Sequence, residues 1–477
     1  MTRVAVVGGG VAGLVAARRL ALAGVDVTVF EASDALGGML QQAQLGDVTI
    51  DIGAEAFAVR GGVVEAYLRE LGLTDDLVEP RALGSWTYGA LGAQQSPSGG
   101  MLGIPSGPDA DGLEDVVGAS GVAAVAAEAS LDASVGASAA SFAELIRARY
   151  GEVVLSRLVA PVTRGVYSLD PEVVDYRVLI PGIEVRLAEA GSLSAVVASL
   201  RPKATPGALV RGLRGGMHRF VGALVAECER LGVSFELNTL AGPFEPMAEC
   251  EQSERIEARE TDGPFDTAAT PPAQGPSLTE FDAILITTES ALTANAPTVS
   301  SEVVALLVDA PELDAHPRGT GVLVSDATDV EAKALTHVTA KWEWLDERTQ
   351  PGQHILRLSY GPVEADGPAR SLALSDEALQ RQALADASRI LGVELAPDRR
   401  RDFARHEWRM PMPAARLGRT AKLAAYRERL GAATEPNDRT HVIELCGAWI
   451  DGTGLASVLP SAENAAQRIL DRFTDHQ

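Results

Sequence analysis

Gly8, Gly10 and Gly13 stand at G-x-G-x-x-G spacing within "VAVVGGGVAGLVAARRL" (Val4–Leu20), an arrangement suited to holding a diphosphate. Gly8 permits a tight turn, Gly10 lets backbone approach the pyrophosphate, and Gly13 lets a helix lie close on a strand. A helix beginning at Val11 directs free N–H groups and about half a positive charge at the phosphates. Glu31 closes the second strand, where a carboxylate accepts adenosine ribose hydroxyls and disfavours a 2′-phosphate. Gly9, Val11, Ala12 and Ala32 complete the predicted dinucleotide contacts on this side.

Two further glycine groups narrow the cofactor. "EASDALGGML" places Gly37 and Gly38 after Glu31, which extends the phosphate-binding surface and lets the chain pass close to a long, extended cofactor. That pattern resembles FAD-containing oxidases rather than NAD dehydrogenases; a plain turn is the alternative. Near the other end, "CGAWIDGTGLASV" ends a strand at Gly447 and launches a helix near Gly454. Such a helix start can face a flavin pyrimidine ring and stabilise the negative charge that reduction puts there.

The elements that must position these residues are legible from periodicity. Residues 3–8 and 25–31 read as short buried strands around a helix over 11–23. "VTIDIGAEAF" (Val48–Phe57) reads as a strand, and Val63–Leu73 as a helix. Ser96–Gly112 reads as an exposed loop or poorly ordered insertion, and the chain is helical with breaks from Ser141 to about Leu200. A helix and strand follow in 212–239, then a surface insertion around 248–277, and a strand over Phe281–Thr288. Longer strands are expected in "GTGVLVSD", "KALTHVTAKWEW" and "HILRLSYG", a helix over Asp376–Leu391, a strand over His441–Gly447 and a helix over Gly454–Phe473.

Nucleotide-fold pieces thus lie at both ends of the chain, with mixed sheet and helix between, and the fold class is α/β and α+β. The expected division is 1–85, 216–300 and 436–477 for the FAD domain, 86–215 for the substrate/helical part and 301–435 for the substrate-binding part.

A net charge of −24 argues against nucleic acid and against adhesion to anionic lipid by charge alone. Between Arg147 and Arg219, however, eleven Lys/Arg stand against six Asp/Glu. The segment is either a solvated helical surface with i,i+4 pairs or an internal basic site for a polyanionic substrate. No stretch approaches the roughly 20 apolar residues of a membrane span, and the first strand leaves no room for a leader, so a cytoplasmic location is expected. Cys228, Cys250 and Cys446 have no metal-ligand or redox spacing; Cys228 and Cys446 read as core residues, and no structural metal is expected.

Over nearly its whole length the chain resembles the oxygen-dependent protoporphyrinogen/coproporphyrinogen oxidases, within the amine oxidase-like flavoproteins. "RGVYSLDPE", "RGGM" and "THVTAKW" are the segments most particular to that family. The resemblance implies a noncovalent FAD in a Rossmann-like domain, a mixed-sheet substrate domain and an inserted helical domain, and a six-electron oxidation of a porphyrinogen in three flavin cycles, with O2 returned as H2O2. It implies that Met39, beside Gly38, touches the cofactor, and that Gly53, Ala54, Glu55 and Ala56 run beneath the isoalloxazine. Leu240 would meet the adenine; Ala448, Thr453, Gly454 and Leu455 would flank the flavin and its phosphates. Arg60 matches a basic position near the substrate carboxylates, or is a solvated surface arginine; Tyr167 and Arg177 are further substrate-site candidates, and no catalytic residue is assigned. Lys341 is comparable with a lysine that reaches flavin N5 through water in amine oxidases, although the porphyrinogen oxidases do not generally need it.

Departures from the pattern are Ala35, where an arginine is common, and Arg164, where a small residue is usual. Coproporphyrinogen carries four propionates and protoporphyrinogen two. An acidic chain with an interior basic segment favours the former, and "THVTAKW" looks like the branch that uses it. Protoporphyrinogen IX oxidase, an FAD-dependent amine oxidase and a noncatalytic porphyrin carrier are the alternatives. The resemblance also implies transient contact with a ferrochelatase, at most peripheral membrane contact, and a monomer or homodimer.

Overall fold

The computed structural model describes residues 2–200, 209–242, 278–292, 298–325, 329–361, 369–411, 413–433 and 442–474. Its organising element is a five-stranded sheet drawn from distant parts of the chain. The strands lie in the order Ser234–Glu236, Asp26–Phe30, Arg3–Val7, Ala283–Ile286 and Val442–Leu445. Every pairing is parallel. Strands buried on both faces need near-continuous apolar runs, and "VAVV" and "AILI" supply them.

Arg3–Val7 sits in the middle, with later strands added first on one side and then on the other. Ligands of open parallel sheets bind where that order reverses, outside the carboxyl ends of the strands. The Gly8 turn lies at that place. The Val11–Leu22, His218–Arg230 and Leu455–Thr474 helices share one core, with Leu14, Leu224 and Leu459 buried together. Cys228 and Cys446 are fully buried in the same core, as expected, whereas Cys250 lies outside the described residues.

A second, mixed sheet of seven strands runs in the order Arg400–Pro411, Thr298–Asp309, Gln353–Tyr360, Ala334–His337, Gly321–Val324, Trp86–Gly89 and Gly92–Gln95. Only the pairing of Gly321–Val324 with Trp86–Gly89 is parallel. The Asp376–Leu391 helix covers one face through Leu379, Ala383 and Ile390. The other face meets Ile50, Trp342, Trp344 and Trp408. Residues 113–200 form the inserted helical part, with its own core around Phe142, Ile146 and Val196. Inside it, Arg149 donates to Glu128 at 2.6 Å, and Glu128 also accepts from the Leu193 N–H at 2.7 Å.

The expected architecture is present, but three local readings change. "KALTHVTAKWEW" is not one strand: it stops at His337 and turns into the short helices Val338–Lys341 and Glu343–Asp346. Its alternation reflects two tryptophans, Trp342 and Trp344, buried against Ile50 and Trp408 rather than a continued ladder. The Val48–Phe57 strand divides into Val48–Asp51 and Phe57–Ala58 around a turn at Gly53. Ser96–Gly112 is not an exposed loop. Ile104 is fully buried, and a Cβ on Gly103 would lie 2.2 Å from the Leu158 carbonyl oxygen, so this segment seats directly on the helical part.

The insertion around 248–277 lies outside the described residues. The Arg419–Ala433 helix buries Leu423 and Tyr426 with Val7, Ile286 and Trp449 of the parallel sheet. We propose that residues 419–433 belong with the nucleotide-binding part rather than with the 301–435 segment.

Candidate active site

Gly8 has φ +105°, and a Cβ there would lie 2.3 Å from Thr287 Oγ1. Thr287 donates from its N–H and its hydroxyl to the Val7 carbonyl, at 3.0 and 2.9 Å, tying the neighbouring strand to the turn. A Cβ on Gly13 would lie 1.9 Å from the Gly8 carbonyl oxygen, so the helix lies on the strand end only because residue 13 has no side chain. Gly10, at the helix cap, supplies no side-chain hydrogen bond, which leaves the first N–H groups facing outward from Val11 and Ala12. Gly37 donates to the Gly9 carbonyl at 2.9 Å, and a Cβ on Gly38 would be 3.2 Å from Gly10 Cα. The glycine pair therefore lies against the phosphate loop, as its spacing predicts.

Glu31 is bound into this loop. Its Oε2 accepts the Gly9 N–H at 2.7 Å, and Oε1 accepts from the N–H and hydroxyl of Ser33 at 2.9 and 2.7 Å. The backbone of Asn238 and Thr239 donates to the Ser33 and Glu31 carbonyls at 2.9 and 2.8 Å, which brings the half-exposed Leu240 beside Glu31 and Ala32. At the far end of the chain, Gly447 has φ +111°, and its Cβ position is 3.0 Å from the Thr287 carbonyl and 3.5 Å from Ala12 Cβ. Gly454 has φ +98° and begins the last helix, where Leu455 is buried in one core with Val11 and Ala12. Two helix starts, separated by more than four hundred residues, thus converge on one loop. Ala448 and Thr453 lie on the chain that joins them.

A third group forms around the turn at Gly53. Ala54 donates to the Met39 carbonyl at 2.9 Å, joining two segments predicted to touch the cofactor. A Cβ on Gly53 would lie 2.0 Å from that same carbonyl and 2.9 Å from the Trp408 ring. Met39 itself is 41% exposed, an apolar side chain left uncovered at this edge. Arg357 donates to the Asp51 and Gly53 carbonyls, both at 2.9 Å, and pins the turn from the seven-stranded sheet.

Glu55, beside it, is buried between Lys341 Nζ at 2.6 Å and Arg357 at 3.5 Å. Burial alone would raise its pKa; Arg357 and Lys341 outweigh that and hold the carboxyl at about 2. Lys341 is thus held by Glu55 in this structure, while its ammonium lies 5.2 Å from the Trp342 ring centroid. Asp51 caps the His218–Arg230 helix by accepting the N–H groups of Met217 and His218 at 2.7 and 3.1 Å.

The "THVTAKW" turn rests on a buried polar cluster. His337 Nε2 and His354 Nδ1 are 3.0 Å apart, the Thr339 hydroxyl is 3.2 Å from the same His354 nitrogen, and His354 Nε2 meets Asp314 at 2.9 Å. Burial first, then neighbouring His354, His316 and Arg81, push His337 well below the ordinary imidazole range. It stays neutral and fixes the turn that presents Lys341.

The substrate-side candidates divide. Arg60 and Tyr167 lie within electrostatic reach of each other: burial raises the Tyr167 hydroxyl's pKa, and the Arg60 charge acts against it. Arg60 is exposed and opens the Arg60–Gly62 turn. Arg177 does not join them. It pairs with Glu184 at 2.7 Å, donates to the Ala139 carbonyl at 3.3 Å and stacks over Tyr176, all within the helical part.

The same holds for the basic segment. Arg147 pairs with Glu152 and Glu172, Arg164 with Asp170, Arg211 with Glu65 and Glu79, and Arg219 with Asp76. Arg147 and Arg164 take acids from within the segment and Arg211 and Arg219 take acids far outside it, none of them an i,i+4 partner. Among the described residues these guanidiniums form no internal basic site, because each of them already has its acid.

The family model of flavin containing amine oxidoreductases matches residues 11–470. The chain belongs to that family. It is 30% identical to coproporphyrinogen III oxidase of Mycobacterium tuberculosis H37Rv, over 98% of this chain and 97% of that one. A mitochondrial protoporphyrinogen oxidase of Nicotiana tabacum is 41% identical, but over 73 residues, 15% of this chain and 14% of the relative. Among solved structures, an Exiguobacterium sp. 255-15 protein assigned provisionally as a protoporphyrinogen oxidase superposes with a TM-score of 0.74 at 23% identity, over 98% of both chains.

As a flavin containing amine oxidoreductase the protein uses FAD, and its residues fit that group. The side-chain-free surface of Gly9, Gly10 and Gly38, the uncapped helix start and the Glu31 carboxylate suit an adenosine diphosphate. The Gly53 turn, Met39 and the Gly447–Leu455 turn would border the cofactor's flavin end. Thr287 and Arg357 escape a reading of motifs. The signal for Arg357 is a lone arginine inside the apolar strand "HILRLSYG"; Thr287 has only its place at the end of a buried strand. No helix among the described residues is long and apolar enough to cross a membrane.

Proposed function

We propose that this flavin-dependent oxidoreductase converts coproporphyrinogen III to coproporphyrin III, with three O2 reduced to three H2O2. The observation that carries the reading is the full-length similarity to coproporphyrinogen III oxidases, set beside a match to a protoporphyrinogen oxidase that is confined to 73 residues. FAD, when bound, supplies the two-electron acceptor.

The chain's own residues orient and neutralise. Arg60 takes a substrate carboxylate and Tyr167 lines the same side, while Trp342, Trp408 and Met39 keep the reacting edge apolar. Lys341 and Arg357 outnumber Glu55 by one positive charge, which favours negative charge developing beside the Gly53 turn. Loss of a proton from a pyrrole nitrogen and aromatisation drive each oxidation, so positioning matters more than a strong base.

The test is stoichiometric: aerobic turnover of coproporphyrinogen should release about three peroxides per porphyrin formed. Turnover of protoporphyrinogen alone, with coproporphyrinogen untouched, would reject the substrate. Arg60→Ala should raise KM roughly tenfold with little change in kcat, the signature of a lost ground-state contact. An unchanged KM would make Arg60 a surface residue.

A further inference from the structure

The Arg147–Arg219 cations are largely paired, yet two cations elsewhere are not. They line a pocket of about 560 Å3 at the seam between the helical part and the seven-stranded sheet. Its wall includes Arg164 and Ser168 on one side and Lys333, Tyr360, Arg370 and Ser371 on the other. Lys333 donates to the Ser168 hydroxyl at 2.8 Å and has no carboxylate partner among the described residues. Burial pushes its ammonium down to about 8, with no acid near enough to oppose the shift. Arg370 likewise has no acidic partner among the described residues. Ser371 is only 5% exposed, and its hydroxyl has no hydrogen-bond partner. Of the lining acids, Asp170 is already bonded by Arg164 at 2.6 Å, which leaves Glu331 as the other carboxylate.

One desolvated cation, Lys333, a second, exposed cation at the rim, Arg370, and an unpaired buried hydroxyl call for an anion. The pocket is too large for a lone inorganic ion and is walled in part by Leu169, Val324, Val330 and Leu374, which suits a carboxylate carried on an apolar body. Its position links it to the candidate site. Ser168, which holds Lys333, directly follows Tyr167, and Tyr167 is under the influence of Arg60. A Cβ on Gly165 would lie 2.6 Å from Leu323, so the same helix end is seated on the sheet at this seam.

We propose that this pocket receives a propionate-bearing edge of the tetrapyrrole, with Lys333 and Arg370 taking carboxylates that coproporphyrinogen has and protoporphyrinogen lacks. This rests on the porphyrinogen reading and names the residues that set its specificity.

Equilibrium binding of coproporphyrin and protoporphyrin to the flavin-loaded enzyme, followed by porphyrin fluorescence, tests it alongside turnover. Lys333→Met and Arg370→Gln should each weaken coproporphyrin by about tenfold and leave protoporphyrin within about twofold, the usual size of one lost ion pair at a partly buried site. Wild-type affinity for coproporphyrin should fall as pH rises through about 8, and Lys333→Met should lose that dependence. Lys333→Met removes a part-buried charge that has no carboxylate partner among the described residues and should fold at least as well as wild type; Arg370 is exposed. If wild type turns over coproporphyrinogen while both variants keep its affinity, or weaken both porphyrins equally, the pocket assignment is wrong and the function stands. If wild type neither binds nor oxidises either tetrapyrrole, both fall.

Discussion

Gly53→Ala should yield protein that folds but purifies nearly free of flavin. The added methyl would sit 2.0 Å from the Met39 carbonyl oxygen and 2.9 Å from the Trp408 ring, one backbone and the other a packed indole. Neither can yield cheaply, so the turn must move away from Met39. That breaks the Ala54 to Met39 hydrogen bond and the grip of Arg357 on the Gly53 carbonyl. The cost of overpacking is about 1–3 kcal/mol, enough to cut cofactor affinity by one to two orders of magnitude. The ratio of flavin to protein absorbance measures it directly. A variant with full flavin content would remove the Gly53 turn from the cofactor surface.

Glu55→Gln should be the most destabilising single change at the site. It leaves the part-buried Lys341 and Arg357 together with no countercharge, and breaking one side of a buried ionic group costs up to about 3–5 kcal/mol. The pH dependence follows from the same group. Its carboxyl is held at about 2 against an ordinary 4.5, so its stabilisation is complete above pH 4.5 and is lost as pH falls toward 2. The difference corresponds to about 3 kcal/mol. Thermal denaturation should show wild type well above the variant at neutral pH, with the gap closing in acid. A gap that is constant with pH would mean that the Glu55 charge contributes nothing.

The nucleotide end of the site was legible in the sequence because its chemistry is backbone chemistry. Gly8, Gly13 and Gly37–Gly38 are required by close approaches and positive φ, and such requirements leave glycine at fixed spacing. The convergence of Gly447 on the same loop was readable because another glycine turn launches a helix there. The substrate side was less legible because charge in a segment says nothing of its partners. Arg177 and the neighbouring arginines are neutralised by Glu184, Glu65, Glu79 and Asp76, some of them far away in sequence. The unpaired cations, Lys333 and Arg370, lie in segments with no excess of positive charge. "KALTHVTAKWEW" misled for a similar reason: alternation marks two faces, but only the packing of Trp342 and Trp344 decides where the strand stops.

Anaerobic mixing with chemically reduced tetrapyrroles, read as loss of the flavin's visible absorbance, tests the central claim most directly. Coproporphyrinogen III should bleach the bound flavin within catalytic time, and protoporphyrinogen IX should do so more slowly. Bleaching by primary amines, with neither porphyrinogen reacting, would contradict it.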